Sequence, residues 1–121
     1  MLIDPISVAA ASPTPALTFA VVAYTGEGSE RKDVANNYAL RFSHSQNAKT
    51  GERHYMQLTQ TLTATNPLTG GNSVQTASVS VSVSIPSFGW TQAGKVALVQ
   101  ALLDTLNDSD VTITKLIGFQ S

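Results

Sequence analysis

Apolar and polar residues alternate with period two along several stretches of the first 86 residues, and the period then lengthens to that of a helix. Ala16 to Tyr24 is β-prone and runs into the turn signal Thr25-Gly26-Glu27-Gly28, with a return segment through Arg31 to Val34, so 17–34 is expected to form a hairpin. In the next run Tyr38, Leu40 and Phe42 alternate with Ala39, Arg41, Ser43 and Ser45. After a polar turn over Asn47 to Gly51, Met56, Leu58 and Leu62 share one side of a further strand, with Arg53, Tyr55, Gln57, Thr59 and Thr61 on the other. Residues 65–73 have loop composition. The most regular segment follows, with Ala77, Val79, Val81, Val83 and Ile85 alternating with Ser78, Ser80, Ser82 and Ser84 until Pro86 ends the strand.

From about Gln92 the spacing becomes three and four residues through Val96, Val99, Leu102, Leu103 and Leu106, which predicts an amphipathic helix over 91–107 with Thr91 as its N-cap. Alternation returns through Val111, Ile113, Lys115, Ile117 and Phe119, so the segment 110–121 is expected to be a short strand or extended arm. Turn-length links between strands require antiparallel pairing, and the order implies an α+β chain, a single domain over residues 1–121 with its main sheet over 37–86. A helix of this length spans about 22 Å, too little to cover the apolar side of such a sheet. The serine strand also has neither a lysine nor an internal proline to protect it at an edge. Both features favour an obligate dimer with a sheet continuous between subunits, while a central strand in a monomer would also protect this segment.

The 121 residues are 42% hydrophobic and include no cysteine, which excludes a disulfide framework or a thiolate metal site. No apolar run is long enough to span a bilayer, and the amino terminus lacks the form of a signal peptide, so a soluble, unexported protein without membrane association is expected. The net charge of −1 conceals segregation. Residues 31–53 carry five bases (Arg31, Lys32, Arg41, Lys49, Arg53) against Asp33 and Glu52, whereas His54 to Gly94 contains no Asp, Glu, Lys or Arg. The two histidines, His44 and His54, lie on different predicted strands, and Glu52 shares the side of His54; no triad or metal-ligand spacing emerges, so no catalytic residue, metal or cofactor is expected. Gly70-Gly71 is not followed by the Lys-Ser or Lys-Thr of a phosphate loop, and Trp90 reads as a packing residue at the helix start.

The succession Y-A-L-R-F-S-H-S (38–45), R-H-Y-M-Q-L-T-Q-T-L (53–62), a Gly-Gly loop, S-V-S-V-S-V-S-I-P-S-F (78–88) and an amphipathic helix resembles the levivirus-type coat proteins of single-stranded RNA bacteriophages. Asp4-Pro5-Ile6 and the hairpin from Phe19 to Glu30-Arg31-Lys32-Asp33 are similar to the amino-terminal part of that family. The resemblance implies a shell subunit of the virion, assembled in the bacterial host cytoplasm, that forms homodimers and then a quasi-equivalent icosahedral capsid. Its implied partners are further copies of itself, the genomic single-stranded RNA and a phage maturation protein.

The resemblance assigns the dimer interface to Val79, Val81, Val83, Val99, Leu102, Leu103 and Leu106, and the capsid-axis loop to Asn66, Pro67, Leu68, Gly70 and Gly71. It assigns RNA contact, with repression of replicase translation through an RNA hairpin, to an inner sheet face of Arg41, Ser43, Ser45, Arg53, Tyr55, Gln57, Thr59, Ser78, Ser80 and Ser82. Arginines suit phosphates, hydroxyls and amides suit sugars and base edges, and Tyr55 suits stacking. The sequence departs from better-known members at Arg41, Gln57 and Ser78, where they carry a small hydroxyl residue, a lysine and an aromatic, and in its carboxyl end, where they carry a second helix. A dimeric α+β RNA- or protein-binding module of non-viral origin is the alternative.

Overall fold

A computed structural model describes residues 2–11 and 14–119. Six strands follow one another in chain order across one sheet: β1 (Ile6–Val8), β2 (Leu17–Thr25), β3 (Gly28–Asp33), β4 (Tyr38–Asn47), β5 (Gly51–Thr65) and β6 (Asn72–Ile85). The helices α1 (Gln92–Asn107) and α2 (Ile113–Ile117) complete the order. The chain divides into two compact units. One comprises the residues up to Gln46 with Glu52–Ser84; the other joins Asn47–Gly51 to the segment from Ile85 onward.

In the first unit the antiparallel register pairs Ala20 with Lys32, Val21 with Arg31, Arg31 with Leu40 and Glu30 with Arg41. A bulge at Val22 interrupts β2, and the extra residue lets both Val21 and Tyr24 lie opposite residues of one side of β3. This accommodates the unbroken apolar pair Val21-Val22, which strict alternation cannot. The core consists of Leu17, Phe19 and Leu40, with Ile6, Tyr38, Phe42 and Leu58 packed around them. The short strand β1, which the sequence pattern did not single out, is paired to β2 from Ile6–Phe19 to Val8–Leu17.

Two further pairs carry the register beyond β4. Thr61 donates its backbone N–H to the Asn37 carbonyl at 3.0 Å, and the His44 and His54 rings meet at 2.8 Å. Counting between them places Leu40 opposite Leu58, Arg41 opposite Gln57, Ser43 opposite Tyr55 and Ser45 opposite Arg53. The β5–β6 turn is closed by the Asn66 N–H on the Gly71 carbonyl and by a Thr65–Asn72 side-chain bond, both at 2.8 Å. Continuing from there, Thr59 faces Ser78, Gln57 faces Ser80 and Tyr55 faces Ser82. At the far end Gly51 lies directly against the main chain of Ile85–Ser87, as an unbroken register requires.

In the second unit α1 begins where expected, with the Thr91 hydroxyl accepting the Gly94 N–H at 3.1 Å. None of its residues is buried. The carboxyl end corrects the expectation of a strand or extended arm over 110–121: Ile113–Ile117 is helical. The Thr112 hydroxyl caps this turn by accepting the Lys115 N–H, and Lys115 Nζ donates to the Ser109 and Asp110 carbonyls, both at 3.1 Å. These local bonds outweigh the β-preference of the alternating Val, Ile and Thr residues. Gln120 and Ser121 of the expected arm lie outside the described residues.

Candidate nucleic-acid interface

Strand alternation sorts the first unit into two chemically distinct sides. One carries Leu40, Leu58 and Val79 in one row across the sheet and Phe42, Met56 and Val81 in the next. The other carries Ala39, Thr59 and Ser78, then Arg41, Gln57 and Ser80, then Ser43, Tyr55 and Ser82, with Ser45 and Arg53 beyond. All ten residues expected to contact RNA therefore fall on one side. Arg41, Arg53 and the five serines among them are exposed, while Tyr55, Gln57 and Thr59 are half-buried between neighbouring strands. Tyr55 stands between the small residues Ser43 and Ser82 in the register, and an aromatic ring beside small neighbours suits base stacking.

The same side continues onto β3, where Glu30 pairs with Arg41 and Lys32 with Ala39, both exposed. Lys32 is a cation that the sequence pattern did not assign to the site. Alternation shows that Arg31 and Lys32 must point to opposite sides, but only the hairpin register says which one joins Arg41.

Arg31 takes the opposite, structural role. It is 1% exposed and its guanidinium donates to the carbonyls of Leu2 and Ile3. Asp33 is buried on the same side and accepts the N–H groups of Thr18 at 2.8 Å and Asn36 at 3.1 Å, together with the Asn36 amide at 3.2 Å. The Thr18 N–H, followed by the Asn36 side chain, holds this carboxyl below its ordinary range. Two of the seven charges in residues 31–53 thus serve folding, and the positive character of the polar side rests on Lys32, Arg41 and Arg53.

On the apolar side His44 Nδ1 and His54 Nδ1 share a 2.8 Å contact, and Glu52 Oε2 lies 3.4 Å from His54 Nε2. The sequence separation of ten residues concealed this cross-strand pair. Among the described residues no group of three or more acidic or histidine side chains is placed to hold a metal ion. His44 also borders an open groove of about 440 Å³ lined by Leu2, Tyr24, Phe42 and Arg31 among others. No described helix is long and apolar enough to cross a membrane.

Comparison of the sequence with family models and with curated proteins finds no match. The backbone, in contrast, matches solved structures end to end. It superposes on the virus-like particle of bacteriophage AVE019 with a TM-score of 0.83 at 16% identity, over 100% of this chain and 99% of that one. The chain has a bacteriophage coat-protein fold. The virus-like particle of bacteriophage NT-214 (TM-score 0.75, 16% identity, 100% and 99% covered) and the bacteriophage EMS014 coat protein (0.67, 16%, 93% and 79%) share it.

On this coat-protein fold the residues expected at a capsid axis form the β5–β6 turn. Asn66 Oδ1 accepts the Leu68 N–H at 2.9 Å, Gly70 adopts φ +72°, and Leu68 projects into solvent beside Pro67 and Gly71. Of the residues expected at a dimer interface, Val79, Leu102 and Leu103 are exposed, and Val81, Val83, Val99 and Leu106 are half-buried. The coat-protein fold thus presents apolar side chains on both β6 and α1 that this one chain leaves uncovered.

Proposed function

We propose that this chain is the capsid subunit of a small RNA phage. The observation that carries this reading is the full-length match to chains that form virus-like particles. The uncharged β6 at the end of the strand order and the wholly unburied α1 support self-association through these two elements. The subunit pairs with a second copy along β6, the two α1 helices cover the apolar side across the pair, and the pairs tile a closed shell. The polar side, with Arg41, Arg53 and Tyr55, contacts the packaged RNA. Replicase repression through an RNA hairpin, incorporation of a maturation protein and assembly in the host cytoplasm belong to the same reading.

Expression of the full chain followed by size-exclusion chromatography and negative-stain microscopy tests it. Megadalton particles that absorb more strongly at 260 nm than protein alone are expected; a free monomer or dimer at every concentration would refute shell formation. Val79→Asp sharpens the test. Val79 is 71% exposed in the single chain, so the substitution should leave the subunit folded by circular dichroism. Between paired subunits it would bury an unpaired charge, and particles should be lost. Normal particles from this variant would place the valine side of β6 outside the subunit contact.

A further inference from the structure

The charges of the polar side are confined to three of its strands. The cations stand on three consecutive strands, Lys32 on β3, Arg41 on β4 and Arg53 on β5, whereas β6 contributes serines alone among Ser78 to Ser84. The register sets their spacing. Lys32 faces Ala39, two positions from Arg41 on the neighbouring strand, so about 8 Å separates their backbones with strands 4.8 Å apart and a rise of about 3.4 Å per residue. Arg53 faces Ser45, four positions beyond Arg41 and one strand over, which gives about 14 Å. The three cations form an oblique line, and Tyr55 lies on β5 next to its last step.

One anion interrupts this surface. Glu30 lies on β3 directly opposite Arg41, on the same side and exposed. A phosphate over Arg41 therefore meets attraction from Lys32 and Arg53 along the line and repulsion from Glu30 across it.

From this layout we infer that a single RNA strand crosses the subunit obliquely, its phosphates running from Arg53 past Arg41 to Lys32 on the hairpin strand. Its bases lean toward Tyr55 and the serines of β6, and Glu30 acts as the charge barrier that keeps the phosphates on this line. The inference rests on the RNA-contact reading given above and adds to it a binding residue, a polarity across the sheet and an excluding residue. Phosphates seek the cationic strands and avoid the carboxylate, while hydroxyls and an aromatic ring offer partners to bases and sugars.

The test is binding of a fluorescent oligouridylate to the full-length protein by anisotropy across a salt series. Each phosphate contact on a single strand contributes about 0.7 to the slope of log affinity against log salt. Lys32→Ala should lower the slope by about that amount, with Lys32→Arg restoring it, because the side chain is exposed and the fold does not depend on it. Glu30→Gln should raise affinity about threefold at low salt, the effect of removing one like charge some 6 Å away in water, with the gain fading as salt rises. An unchanged slope in Lys32→Ala, with a lowered slope in Arg41→Ala plus Arg53→Ala, would overturn the path onto β3 while leaving RNA contact standing. Unchanged slopes in all of these variants would overturn both. Unaltered affinity in Glu30→Gln would remove the barrier from the proposal.

Discussion

Replacing Gly51 by alanine should damage the fold severely for the addition of a single methyl group. Gly51 is buried at the start of β5 with φ +94°, and a Cβ built there would lie 1.9 Å from the Ile85 carbonyl oxygen, 2.7 Å from Pro86 C and 2.8 Å from Ser87 N. All three are main-chain atoms, so no side chain can swing away. The left-handed backbone costs an alanine about 1–2 kcal/mol. Parting β5 from Ile85–Ser87 adds an overpacking cost of about 1–3 kcal/mol, since Ile85 is itself 2% exposed and closely packed. The total of roughly 2–5 kcal/mol is a large share of the stability of a small domain and corresponds to a melting point lower by about 10–20 °C.

Two other glycines separate these contributions. Gly70 has φ +72° with no atom within 4 Å of the place a methyl group would occupy, so Gly70→Ala should lose only the conformational part, about 1 kcal/mol. Gly26 has neither the conformation nor a neighbour within 4 Å, and Gly26→Ala should stay within about 1 kcal/mol of the parent. Thermal unfolding of the three full-length variants, followed by far-ultraviolet circular dichroism at matched concentration and assembly state, gives the ranking. A Gly51→Ala protein that melts within a few degrees of the parent, or no lower than Gly70→Ala, would refute the close approach of β5 to Ile85–Ser87.

Leu40→Ala should cost about 2–5 kcal/mol, since Leu40 is 4% exposed and packed with Leu17 and Phe19; urea unfolding should show a lower midpoint with an unchanged slope. Asp33, held ionised by the Thr18 and Asn36 N–H groups, should make stability depend on acid. Its contribution is complete above the ordinary carboxylate range and disappears as pH falls through its lowered value. Urea midpoints of the parent and Asp33→Asn should therefore differ at neutral pH and converge in acid; a constant gap would contradict the role given to Asp33.

The pattern of side chains made most of the sheet legible because Ala77–Ile85 alternates without a fault and Tyr38–Ser45 nearly so, and the helix because its leucines and valines change period after Pro86. The ten residues expected to contact RNA came from the resemblance, while parity decides only which residues of one strand share a side. What escaped depends on pairing. Lys32 joins the polar side, and His44 meets His54, through registers that no local pattern encodes. The bulge at Val22 breaks the alternation within β2, so its β-prone composition marked the strand but not which of its residues share a side. For Ile113–Ile117 the local pattern pointed to a strand, and a threonine cap with a lysine reaching back to two carbonyls decided otherwise.

The two edges of the sheet differ in a way that bears on assembly. At one edge the three-residue β1 covers only Leu17–Phe19 of β2. The remainder of β2 is broken by the bulge at Val22 and gives its Val21 N–H to the Asp4 carboxylate, whereas β6 runs for fourteen residues with no charged side chain and no proline before Pro86. A sheet with two long open edges adds copies indefinitely and grows a fibre. One with a single long edge can pair antiparallel with an identical edge, and that pairing consumes the only site of its kind, so growth by sheet extension stops at two. Any larger assembly must then proceed through other surfaces. The exposed turn at Leu68 is available for that purpose without leaving an unpaired strand behind. A strand that would be an aggregation hazard in an isolated subunit is, with this asymmetry, a means of counting to two in the assembly proposed above.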